Sequence, residues 1–526
     1  MMVYFNILRR LFILSFILIF LSCSKQNKGK ENINSFNKSQ NHLTNYQEKY
    51  RPQFHFTPSE KWMNDPNGLV YNQGIYHLFY QYYPEDIVWG PMHWGHAISK
   101  DLISWEHKPI ALYPDDHGDI FSGSAVLDFG NSSGLGTTEN PPLVAIFTYH
   151  LMAGEKAGRS DFQTQGIAYS LDNGDSWQKY KGNPVIGNKE KKDFRDPKVF
   201  WHHESNQWIL ALVAGDHAKF YGSKDLINWN HLSDFGNDKG AHGGVWECPD
   251  LFKIKVEGTN EEKWILIISI NPGAPNGGSG TQYFIGDFDG HTFTVEHNDI
   301  KWIDYGADNY AGVTYNNTPN GERIFIGWMS NWNYAQITPT KTWRSAMTLP
   351  RKLSLVQEQD IYFLRSNVIE SFNKLLSPVV EKEILELDND FNYEFQNLNQ
   401  SAIRFKTKLS NNIRLEFSNQ KMETLVFEID PANKEMVVNR KGSGLIDFEK
   451  RFAENIHTLP YINSEKEVDV RIILDWSSIE IFIDNGKYVM TEQVFPTEFY
   501  TKLKMSSVGK VEVKNFKLSN INSIWK

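Results

Sequence analysis

Residues 99–105 read "SKDLISW", residues 170–177 "SLDNGDSW" and residues 223–229 "SKDLINW". Each opens on Ser-x-Asp, passes through a short turn and closes on a tryptophan. Ser and Asp side chains accept from backbone amides a few residues ahead, which holds tight turns. Recurrence every 50 to 70 residues marks a repeated supersecondary unit. Around these turns, from about residue 50 to 365, short aromatic and β-branched runs such as "GIYHLFYQYY", "QWILALVAG", "KWILIISI" and "RIFIGWMS" alternate with Gly, Asn and Asp, and helical periodicity is nearly absent. Four-stranded sheets that reuse one hairpin are propeller blades, and roughly 300 residues at this spacing make about five of them, with six possible. The repeated turn itself is structural: it fixes a hairpin, and its indole packs between blades.

Near residue 366 the texture changes through "SNVIESFNKLLSPVV". Alternation is plain in "VDVRIILD" (468–475) and "IEIFIDNGK" (479–487), the latter bounded by an Asp-Asn-Gly turn. A β-sandwich is the expected second domain. The chain is therefore read as all-β, with a propeller over 47–366, a linker at 367–375 and a sandwich over 376–526.

With 526 residues, 40% of them hydrophobic, two or more cores are expected. Fifty-four basic against 63 acidic residues give a net charge of −9, which excludes a broad basic groove for nucleic acid. Arg9 and Arg10 precede the apolar run "LFILSFILIFL" (11–21), which meets "SCSK". That run is too short to cross a bilayer core of about 30 Å, so residues 1–22 read as a cleaved export signal. Residues 23–46 are polar and aperiodic, as expected of a disordered tether. No His or Cys spacing implies a metal and no motif implies a cofactor. The site before Cys23 resembles the lipobox of bacterial lipoproteins, although Phe20 departs from its usual aliphatic residue. The resemblance implies a lipidated Cys23, a membrane anchor through that lipid alone, and a cell-surface or periplasmic location. Cys248 is the only other cysteine, so lipidation leaves no intramolecular disulfide.

"WMNDPNGLVY" (62–71) places Asp65 inside a dense turn signal. Alone, it reads as a surface loop whose carboxylate caps an amide. "FRDPKVFW" (194–201) and "WECPDLFKI" (246–254) share its grammar: an acid one or two residues before a proline, then an apolar strand. Proline disfavours helical geometry in its predecessor, so Asp65 and Asp196 are expected in extended conformation. In a propeller the innermost strands converge on one channel, and three such acids meet there. Clustered carboxylates raise at least one pKa, giving the mix of proton donor and anion that glycoside cleavage needs.

These boxes, with "FSGSAV" (121–126), "WRSAMTLPR" (343–351) and "LDWSSIEIFID" (474–484), resemble the glycoside hydrolase 32 family, the invertases, inulinases and levanases. The resemblance covers nearly everything from residue 50 onward and implies a five-bladed propeller followed by a β-sandwich, with a fructan or sucrose as substrate. It implies Asp65 as nucleophile, Glu247 as general acid/base and Asp196 as transition-state stabiliser. Asn64, Gln81, Trp89, Phe121, Ser122, Arg195 and Trp332 would line the pocket, amides and guanidinium meeting hydroxyls and indoles the apolar sugar face. A retaining mechanism follows, with carboxyls about 5 to 5.5 Å apart, and Glu247 should be raised by repulsion from Asp65. Cys248 is read as buried structure. "GWMSNWNYAQ" (327–336) resembles the segment of exo-acting members. Rival readings are a sialidase, suggested by the Asp-box look of "SLDNGDSW" but lacking an arginine cluster and tyrosine nucleophile; a non-enzymatic glycan-binding lipoprotein; and endo-acting or fructosyl-transferring members of the same family.

Overall fold

The computed structural model describes residues 46–189, 191–461 and 467–525. The export signal, Cys23 and the tether up to residue 45 lie outside the described residues. Five antiparallel sheets, each built on a four-stranded meander, have as innermost strands Lys61–Asn72, Asp119–Leu127, Phe194–His202, Val245–Lys255 and Tyr310–Thr314. Each innermost strand touches the next, and the fifth touches the first, so the ring closes as a five-bladed propeller. Blades I to V follow in chain order. Trp343–Arg344, from the end of the propeller sequence, pairs in parallel with Lys61 and Trp62 of blade I and ties the closure.

The three Ser-x-Asp turns join the third and fourth strands of blades I, II and III. In the first, Ser99 Oγ accepts from the amide of Leu102 (2.8 Å) and Asp101 Oδ1 from those of Ile103 (2.9 Å) and Ser104 (2.8 Å). Trp177 of blade II stands edge-on to Phe79 of blade I at 5.4 Å, the interblade packing expected of it.

Blade V ends with Ile361–Val368, and the chain passes through a 3-10 turn, Glu370–Leu375, into two six-stranded sheets stacked over a core of aliphatic and aromatic side chains. The expected hairpin is there: Glu467–Asp475 pairs with Ser478–Ile483. Asp484, Asn485 and Gly486 all take positive φ in the turn that follows, which suits Asn-Gly chemistry.

Propeller and sandwich meet over a buried ionic network drawn from two of the sequence boxes. Arg351, fully buried, donates to Asp304 Oδ2 (2.9 Å), to Thr491 Oγ1 (2.7 Å) and to Glu480. His55 lies between Asp475 (2.7 Å) and Glu480 (2.7 Å). Burial opposes its protonation, but the two carboxylates outweigh burial and raise it to about 9. Charges this deep persist because each has a partner, and the partners lie on both domains.

Candidate active site

Every innermost strand is bulged close to its first residues, all at the same end of the propeller. The pairing registers slip across Asn64–Asp65, Phe121–Ser122, Asp196–Pro197, Cys248–Pro249 and Ala311–Gly312. A bulge leaves residues out of the ladder and re-aims their side chains. Proline, with no N–H to donate, fits such an interruption. "WMNDPNGLVY" is thus neither a loop nor a plain strand but a bulged segment of Lys61–Asn72.

The extended geometry expected of Asp196 is not what the chain adopts: its φ is +64°. Pro197 disfavours the right-handed region, and the bulge selects the left-handed one. That turn of the backbone sends the Asp196 amide to Thr148 Oγ1 (3.0 Å) and brings its Oδ2 onto the amide of Cys248 (3.0 Å). Cys248 is itself at φ +48°.

Asn64, Asp65, Gln81, Trp89, Phe121, Ser122, Arg195, Asp196, Glu247 and Trp332 all line one cavity of about 250 Å³ at this end. Ser122 Oγ donates to Asp65 Oδ2 (2.6 Å) and Asn64 Nδ2 to Asp65 Oδ1 (3.0 Å), fixing both oxygens. Asn64 is oriented in turn by the indole N–H of Trp62 (2.7 Å). Arg195 donates to Asp193 (2.6 Å) and to Glu247 Oε1 (3.0 Å). Gln81 donates to the carbonyl of Ile120 (3.0 Å) while facing the cavity. Phe121 stacks on His150 at 4.1 Å, with Trp89 edge-on at 6.1 Å.

Cys248 is buried, as expected, but among the acids: its Sγ lies 3.5 Å from Asp65 Oδ2 and 3.7 Å from Asp196 Oδ2. Burial, with the neighbouring carboxylates, pushes the thiol well above its ordinary range, so it stays protonated.

The acids are not electrostatically alike. Burial raises Glu247 to about 7, Asp196 and Asp65 adding to it and Arg195 opposing. Asp196, 5% exposed, is raised to about 6, again by burial first, with Arg195 opposing and Asp65 adding. The rise expected at Glu247 is therefore present, but desolvation is its leading cause and repulsion from Asp65 a lesser one. A carboxyl near 7 beside one near 6 provides a proton donor and an anion together at neutral pH.

Sequence reading missed His150, Glu155, Phe162, Gln163, Asp193 and Gln336, which also line the cavity, and Tyr310, whose hydroxyl donates to Glu247 Oε2. Tyr310 opens the fifth innermost strand directly before its bulge, as Glu247 stands directly before the bulge of the fourth. That shared position is the signal that finds it. A larger cavity, about 300 Å³, opens at the opposite ends of the innermost strands among Phe129, Trp201, Trp208 and Lys253, and holds none of the three acids. Chemistry rather than size selects the site.

Comparison with known proteins agrees with this geometry. Residues 55–365 match the glycosyl hydrolases family 32 N-terminal domain, and residues 355–520 the glycosyl hydrolases family 32 C-terminal domain. The chain is 44% identical over 500 residues to a levanase of Bacillus subtilis (strain 168), covering 91% of this chain and 72% of the relative. It is 37% identical over 525 residues to an extracellular exo-inulinase of Aspergillus ficuum, covering 92% and 97%. Among solved structures, the exo-inulinase of Aspergillus awamori superposes with a TM-score of 0.84 at 35% identity, covering 91% of this chain and all of the other.

Proposed function

The chain belongs to glycosyl hydrolase family 32 and is a glycosidase, and from that premise we propose that it removes terminal fructose from β-fructofuranosides, fructans or sucrose, by double displacement with retention. The observation that carries this reading is the convergence of Asp65, Asp196 and Glu247, from three blades, on one sugar-sized cavity.

Asp65, its two oxygens fixed by Ser122 and Asn64, attacks the anomeric carbon and forms the covalent fructosyl-enzyme. Glu247, held by Arg195 and Tyr310 and raised to about 7, donates its proton to the departing glycosidic oxygen. It then takes a proton from the water that attacks the same carbon, which restores Asp65 and releases fructose. Asp196, raised only to about 6, is mostly anionic at neutral pH and opposes the positive charge of the oxocarbenium-like transition state. The aromatic rings of Trp89, Phe121 and Trp332 offer apolar faces to the sugar.

Exo action is supported by the exo-inulinase among the relatives. Chromatography of early products from levan and from inulin tests it. Free fructose from the first minutes is expected; a ladder of oligomers would mean internal cleavage.

The end of blade V at Val368, followed by the 3-10 turn Glu370–Leu375, supports a division at 367–375. Export with anchoring through a lipidated Cys23 completes the proposal, supported by the segment 1–22 and by the extracellular designation of the fungal relative. Cys23→Ala is expected to move the protein from the membrane to the soluble fraction, and unchanged fractionation would count against the anchor.

A further inference from the structure

One wall of the cavity is formed by residues 329–337, which leave the second strand of blade V and carry Trp332 and Gln336 to the site. On one side the propeller holds this segment. Asn331 Nδ2 donates to the carbonyl of Ala307 (2.8 Å), the amide of Trp332 donates to Ser279 Oγ (3.1 Å), and the indole lies 6.0 Å from Trp62 and 4.9 Å from Trp328.

On its other side the segment is held by the sandwich. Arg451 closes a fork on Asn333, Nη1 to the side-chain oxygen (3.0 Å) and Nη2 to the backbone carbonyl (2.8 Å). Arg440 Nη2 donates to Tyr334 Oη (2.8 Å), and that hydroxyl donates to Asp308 Oδ1 of the propeller (2.8 Å). Arg440 is 1% exposed, pairs with Asp308 Oδ2 (2.7 Å) and Glu492 (3.0 Å), and stacks on Phe452 at 3.9 Å. The residues directly after Trp332 are thus gripped by two arginines of the other domain.

We propose that the β-sandwich is part of the saccharide-recognition apparatus, Arg440 and Arg451 acting as positioning residues that hold the Trp332 wall in its binding geometry. The proposal rests on reading the cavity as the sugar site. A planar guanidinium fixes distance and direction at once, which a lysine does not. Besides the bonds from the amides of Tyr334 (3.0 Å) and Ala335 (2.8 Å) to the Asn331 carbonyl, the segment has one short 3-10 turn, Ala335–Ile337, and these partners add to its order. An indole fixed before the sugar arrives spares association the cost of ordering it.

Arg440 is too deeply buried to remove without risk to the fold, so the test uses Arg451, whose side chain is 54% exposed, and Tyr334→Phe, which deletes only the hydroxyl. Hydrogen exchange by mass spectrometry is measured over 329–337 in the wild type, Arg451→Ala and Tyr334→Phe, together with sucrose and inulin kinetics. The expected result is faster exchange confined to that segment, with KM raised by about tenfold and kcat within about twofold. Unchanged exchange overturns the clamp whatever KM does. Faster exchange with unchanged KM overturns its role in recognition. If the wild type cleaved no β-fructoside, the sugar-site reading would fall by itself, and the exchange result would still decide the clamp.

Discussion

Asp65→Asn is expected to lower kcat on sucrose and on fructans by on the order of 10⁴-fold or more, with far-UV circular dichroism and thermal midpoint unchanged. The amide matches the carboxylate in shape, and it can keep partners at Ser122 and Asn64, so the bulge of blade I has no reason to rearrange. What disappears is the carboxylate oxygen that we propose bonds to the anomeric carbon. No neighbour replaces it: Asp196 is turned onto the amide of Cys248, and Glu247 is engaged by Arg195 and Tyr310. Near-native turnover would return "WMNDPNGLVY" to a purely structural bulge.

Glu247→Gln is expected to lower turnover by about 10²- to 10⁴-fold, the range of a lost general acid, and to change the pH profile. The sign follows from the direction of the shifts. Burial foremost holds Glu247 protonated up to about 7, and it must be protonated to release the leaving oxygen, so activity falls as pH rises through about 7. Asp196 must be ionised to oppose the developing positive charge, so activity also falls as pH drops through about 6. The wild type should show a narrow bell between these limbs, whose apparent values belong to the coupled cluster rather than to single residues. The Gln variant should keep the acid limb and lose the alkaline one. An alkaline limb that survives in it would place the proton donor elsewhere.

Much of this was legible in the sequence because its cause is local. The Ser-x-Asp turns cap their own amides within four residues, so three hairpins show wherever the chain is read. The acids show because a proline follows each within two residues. Harder to read was what depends on closure of the ring. Asn, Asp, Pro and Gly in "WMNDPNG" are turn residues by composition, yet they sit in a bulged strand whose partner is Ile75–Tyr83. The left-handed φ of Asp196 is set by its mismatch with the neighbouring strand, which no tripeptide encodes. Tyr310 and His150 carry no local signature; they reach the site only because ring closure sets the fifth blade against the first and the second blade between the first and the third. For Glu247 the direction of the shift is legible in the sequence and its leading cause is not, since charges are visible there and desolvation is not.

In the proposed double displacement Asp65 is the nucleophile and Glu247 the proton donor. Proton NMR of fructose released from a β-fructofuranoside, recorded before mutarotation, tests it most directly. β-Fructose as the first product is the predicted result, since each of the two displacements inverts the anomeric carbon once. α-Fructose as the first product would mean that water attacks directly, and would contradict the role given to Asp65.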